Sequence, residues 1–85
     1  MHTDSLRTEE FMTMEADNLV FDMLSSSSEK PHPFEVGGKL DSYRRIFREV
    51  IERHKCTLLD ETPELVSFRR PYGQRCTIRY TRNSR

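Results

Sequence analysis

The strongest constraint on the fold is a helical stripe in the middle of the chain. Tyr43, Ile46, Phe47, Val50, Ile51 and His54 fall at i, i+3, i+4, i+7, i+8 and i+11, the spacing that lines one face of an α-helix with core residues. Asp41 or Ser42 is placed to cap its start. Arg44, Arg45, Arg48, Glu49, Glu52 and Arg53 occupy its other faces. Arg45–Glu49, Arg48–Glu52 and Glu49–Arg53 are candidate i,i+4 pairs, and Arg44 has no acid at that spacing.

A second helical pattern precedes it. Thr8 opens a segment in which Met12, Ala16, Leu19, Val20, Met23 and Leu24 recur every three or four residues, with Glu9 and Glu10 favourable to the dipole of its first turn. The serines Ser25 to Ser28 end it by competing for backbone hydrogen bonds. Phe34-Glu35-Val36, between Pro33 and the pair Gly37-Gly38, reads as a short edge strand.

After the central helix the period changes to two. Cys56 to Leu59 is a strand candidate, and Asp60-Glu61-Thr62-Pro63 reads as a turn with solvated acids. Leu65 to Arg70 and Arg75 to Arg82 flank Pro71-Tyr72-Gly73-Gln74 and form a hairpin. In its second strand Cys76, Ile78 and Tyr80 point one way, while Arg75, Thr77, Arg79 and Thr81 point the other. The expected fold is α+β: two helices packed on one face of a small, three- to four-stranded, mainly antiparallel sheet, in the order α-β-α-β-β. A single domain spans residues 8–82, with flexible ends at 1–7 and 83–85.

Composition narrows the chemistry. With 85 residues, 34% hydrophobic and no Trp, the core is small, and a deep active-site cavity would compete with it for apolar side chains. Cys56 and Cys76 lack CxxC spacing and read as buried intracellular thiols, with a disulfide between neighbouring strands as the minor alternative. The histidines and cysteines are too scattered for a metal site, and His54 completes a core stripe as a hydrogen-bonded residue. There is no phosphate-cradling glycine loop and no nucleophile in a recognised setting. No cofactor, metal, membrane span or catalytic role is expected, and the start lacks a secretory pattern.

Charge is the remaining signal. The formal net charge is zero, yet residues 1–38 hold eight acids against Arg7 and Lys30, and residues 39–85 hold twelve Lys or Arg against six acids. Residues 66–85 carry six arginines and no acid. Guanidinium forks match phosphate oxygens in pairs, so a polyanion is the partner that such a pole favours. Arg44 and Arg48 project from the central helix, and Arg69, Arg70, Arg75, Arg79 and Arg82 line the hairpin and its end. Tyr72 at the turn tip offers a ring for stacking on an unpaired base. Phe68 and Tyr80 within the strands read equally well as core.

Asp41-Ser42-Tyr43-Arg44-Arg45-Ile46-Phe47-Arg48 resembles the R-three-H domain, a family named for an arginine and a histidine separated by three residues. Ser42-Tyr43-Arg44 fits the motif's opening and Ile46-Phe47 its apolar pair. Arg48 stands where the family has histidine, and Lys55-Cys56 stands where it commonly has glycine and leucine. The element order is similar over about Glu9 to Arg82. The resemblance implies a non-catalytic module for single-stranded RNA or DNA with weak sequence preference. Arg44, Arg48, Arg75 and Arg79 would contact phosphates, and Arg69, Arg70 and Arg82 would widen the patch. The alternative is a protein-interaction module, through the acidic first helix or a sheet edge, or a regulatory subunit with no direct nucleic-acid contact.

Overall fold

Two periodicities in the sequence become two layers in a computed structural model, which describes residues 3–26, 30–71 and 73–82, with backbone alone for 3–8. The elements are α1 (Thr3–Ser25), β1 (His32–Glu35), α2 (Leu40–Arg53), β2 (Thr57–Glu61), β3 (Leu65–Arg69) and β4 (Arg75–Thr81). The four strands form one sheet in the order β1-β4-β3-β2. β2 and β3 pair antiparallel, as do β3 and β4, whereas β1 runs parallel to β4. The fold is α+β with both helices on one face of the sheet, as the two patterns imply.

The stripe of α2 is the centre of the core. Phe47 and Val50 are fully buried and Ile51 nearly so, and they join Ala16 and Val20 of α1 and Phe68 and Ile78 of the sheet in one cluster. Phe34 of β1 sets its ring edge-on to both Tyr43 and Phe47, with centroids 5.1 Å apart in each pair. These are the perpendicular geometries that aromatic quadrupoles favour. His54 closes the stripe with Nε2 2.8 Å from Asp17 Oδ1, tying α2 to α1. Tyr43 ties them again, its hydroxyl donating to Glu15 Oε1 at 2.6 Å. Burial, this hydrogen bond and the carboxylate's charge together push the Tyr43 phenol well above its ordinary range.

Several boundaries differ from the sequence reading. α1 begins at Thr3 rather than Thr8. α2 begins at Leu40, with Lys39 in the capping position and no side-chain cap, so neither Asp41 nor Ser42 serves there. Val36 lies just beyond β1. Its N–H bonds Thr81 C=O at 2.9 Å, and its C=O accepts from Lys39 N–H at 3.0 Å to close the turn into α2. Asp60 and Glu61 belong to β2, which the turn-like run Asp-Glu-Thr-Pro conceals. Their register shifts between Leu58 and Asp60, an irregularity that breaks simple alternation.

The exit from α2 shows how this chain ends the helix without a glycine. Lys55 N–H bonds Glu52 C=O at 2.9 Å, and Cys56 N–H bonds Ile51 C=O at 3.1 Å. That crossed pair is a Schellman cap, which requires a left-handed residue. Lys55 supplies it with φ at 65°, at a steric cost that glycine would avoid. Cys56 and Cys76 are free thiols, half-buried and buried respectively. Burial raises the Cys56 pKa, the proximity of Cys76 adds to this, and the Arg70 charge opposes it.

Candidate nucleic-acid interface

The sheet sorts its arginines by strand parity. Cys76, Ile78 and Tyr80 of β4 and Val66 and Phe68 of β3 face the helices and are buried. Arg75 and Arg79 of β4 and Arg69 of β3 alternate with them and are exposed on the opposite face. Register places Arg69 directly across from Arg75, and Arg79 between Leu65 and Pro33. Thr77 lies between the two β4 arginines in sequence and meets Ser67 hydroxyl to hydroxyl at 3.1 Å. Among the described residues, none of Arg69, Arg75 and Arg79 has an ion-pair partner. The outer sheet face therefore carries three guanidinium groups without an ion-pair partner among the described residues. Like charges directly opposed on a sheet are mildly destabilising.

The α2 arginines occupy the other side. Arg48 Nη2 donates to both carboxylate oxygens of Glu61, at 3.1 and 3.3 Å. Arg44 Nε lies 3.3 Å from Glu61 Oε2 in an ion contact that is not aligned as a hydrogen bond. The Glu61 side chain is only 15% exposed. Arg44 therefore has a partner, contrary to the expectation from its i+4 position. Arg48 takes Glu61 instead of Glu52, and Arg45 reaches Glu9 at 3.4 Å instead of Glu49. Both partner acids, Glu61 of β2 and Glu9 of α1, come from other elements.

Arg82, exposed just beyond β4, borders a shallow depression of about 500 Å³ with Leu40, Pro63, Glu64 and Tyr80. The Tyr80 hydroxyl is buried without a hydrogen-bond partner among the described residues. Burial and the negative charge of Glu61 raise its pKa, against the opposing influence of Arg44 and Arg48. Tyr80 and Phe68 are thus core residues and not stacking surfaces.

Arg70 is not part of any surface. It is 7% exposed, and its guanidinium donates to Cys76 Sγ at 3.2 Å, to Gln74 Oε1, and to the C=O groups of Met23 and Ser26. Those two carbonyls end α1, where the helix leaves acceptors unsatisfied and a cation is favoured by the dipole. The turn beside it is closed by Gly73 N–H on Arg70 C=O at 2.9 Å. Gly73 has φ at 101°, which only glycine adopts without strain. The expectation that Arg70 widens the binding patch is corrected by this burial. Tyr72 lies outside the described residues.

The eight residues singled out in the sequence therefore separate. Arg69, Arg75 and Arg79 share the outer sheet face; Arg44, Arg48 and Arg82 lie on the helix side; Arg70 is a buried clamp. Among the described residues no three histidine, cysteine or acidic side chains cluster as a metal site would require, and no helix is long and apolar enough to cross a membrane. No protein-family model matches the chain, and neither a curated protein nor a solved structure matches it.

Proposed function

We propose that this protein is a non-catalytic module that binds single-stranded RNA or DNA with weak sequence preference, and that the outer sheet face is the surface it uses. One observation carries the reading: Arg69, Arg75 and Arg79 stand exposed on one face without a carboxylate partner among the described residues. Guanidinium groups so arranged track a phosphate backbone, and no base-edge code accompanies them. The R-three-H resemblance of Ser42 to Arg48 supports the ligand class. The surface differs from the one that resemblance implies, because Glu61 holds Arg44 and Arg48.

Labelled single-stranded oligonucleotides titrated at several salt concentrations test this. Three phosphate contacts give a log–log salt slope of about −2. The triple variant Arg69→Ala/Arg75→Ala/Arg79→Ala is expected to abolish measurable binding, while Arg44→Ala/Arg48→Ala changes affinity by less than about threefold, since Glu61 already neutralises part of that charge. Failure of the wild type to bind, or indifference to the triple substitution, rejects the reading.

A further inference from the structure

The first helix is apolar on two faces, and the fold uses only one. Met12, Ala16 and Val20 point inward and are almost fully buried. Phe11, Met14 and Phe21 point outward and are 59%, 54% and 60% exposed. With Asn18 they fall at i, i+3, i+7 and i+10, a single ridge about 15 Å long at the helical rise per residue. None of the three belongs to the hydrophobic core. Large side chains gathered on one ridge of a small domain mark an interaction surface, whereas the same residues scattered singly would not.

The flanks of the ridge are acidic. From residue 8 to residue 25 there are five acids and no lysine or arginine. Glu9, Glu15 and Asp17 are taken up by Arg45, Tyr43 and His54. Glu10 and Asp22 are exposed, have no partner among the described residues, and border the ridge on opposite sides near its two ends.

We infer that this outer face of α1 docks an amphipathic helix of another protein, one with an apolar stripe flanked by lysine or arginine. Charge selects this occupant. A second copy of the chain, run parallel or antiparallel through the same ridge, brings Glu10 and Asp22 to the same ends of the seam as the acids of its mate. The arginine face of the sheet has the right charge, but around Arg69 and Arg75 it presents Ser67 and Thr77, and the apolar pair Leu65 and Pro33 lies only beside Arg79, at one end of that set. Nucleic acid and anionic membranes are repelled by the flanking carboxylates. A basic helix satisfies both requirements: its stripe covers Phe11, Met14 and Phe21, and its flanks meet Glu10 and Asp22.

The probe is an 18-residue peptide with leucine at helix-stripe spacing and lysine on both flanks, compared with the same peptide carrying glutamate for lysine. Titration into the full chain, followed by amide NMR, is expected to shift resonances of α1 around Phe11, Met14, Asn18 and Phe21 with the lysine peptide alone. Phe11→Ser/Phe21→Ser should weaken binding by about tenfold or more, as loss of aromatic anchors does, while leaving thermal unfolding and oligonucleotide affinity unchanged. Glu10→Lys/Asp22→Lys should weaken it while leaving the apolar ridge intact. The inference is overturned by absence of lysine-peptide binding, by equal binding of the glutamate peptide, or by shifts located elsewhere. It is also overturned if sedimentation shows self-association that Phe11→Ser/Phe21→Ser abolishes, which would make the occupant a second copy.

Discussion

Arg69, Arg75 and Arg79 on the outer sheet face and Arg44 and Arg48 on the helix side of this protein have opposite physical status. On the helix side Arg44 and Arg48 converge on one carboxylate, that of Glu61, and one strand-end residue further along the chain, Arg70, is sealed among carbonyls. On the sheet face Arg69 and Arg75 oppose each other with no acid between them. Residue type is the same in both places. What differs is where the pleat and the helix termini put acceptors. Charge available to a partner is what remains after the fold has used its share.

Arg70 gives the largest expected effect and the sharpest contrast with its neighbour. Arg70→Met keeps the length and apolar stem of the side chain but strips its donors from the end of α1. The carbonyls of Met23 and Ser26 then lose a buried charge-assisted partner, which costs about 2–4 kcal/mol. Arg69→Met, one position earlier and exposed, should change stability by less than about 0.5 kcal/mol. Urea unfolding of both variants decides the matter, and similar midpoints would show that Arg70 does not hold the two layers together.

Glu61→Gln tests whether the helix-side arginines are held back by their single acid. Exposed ion pairs are worth about 0.2–1 kcal/mol each, and Arg44 and Arg48 are 30% and 57% exposed, so stability should fall by about 1 kcal/mol. If partnering is what withholds these arginines, the same variant should bind single-stranded oligonucleotides more tightly than wild type, with a steeper salt slope. Unchanged affinity beside the lowered stability would separate the ion pairs from binding altogether.

These contrasts also explain which features could be read from the chain. The α2 stripe and the β3–β4 hairpin were legible because each is a local period, and the burial of Tyr43, Ile46, Phe47, Val50 and Ile51 and of Cys76, Ile78 and Tyr80 follows from it. The parallel pairing of β1 with β4 was not, since it joins His32 to Ile78 across about half of the chain. Glu61 looked like a turn residue because Thr62-Pro63 follows it, and its arginine partners lie on another element. Arg70 did leave a signal. It has the parity of Val66 and Phe68, so alternation alone put it on the core side. The ridge of Phe11, Met14 and Phe21 was also present in the sequence at helical spacing. It lay beside a second stripe that accounted for the helix without it.

The smallest effect concerns the opposed pair itself. If Arg69 and Arg75 repel across the β3–β4 ladder, Arg75→Thr should stabilise the protein by about 0.5 kcal/mol at low salt, within the range for a directly opposed like-charge pair. The gain should shrink as salt screens the repulsion it removes. Threonine also favours strands on its own account, so the necessary control is Arg79→Thr, whose neighbours across the ladder are Leu65 and Pro33. Chemical unfolding at two salt concentrations separates the two causes. A salt-dependent gain confined to position 75 identifies repulsion, and with it a face that an anion would relieve. Equal gains at both positions, insensitive to salt, would assign the effect to strand propensity and would leave Arg69 and Arg75 as ordinary surface residues.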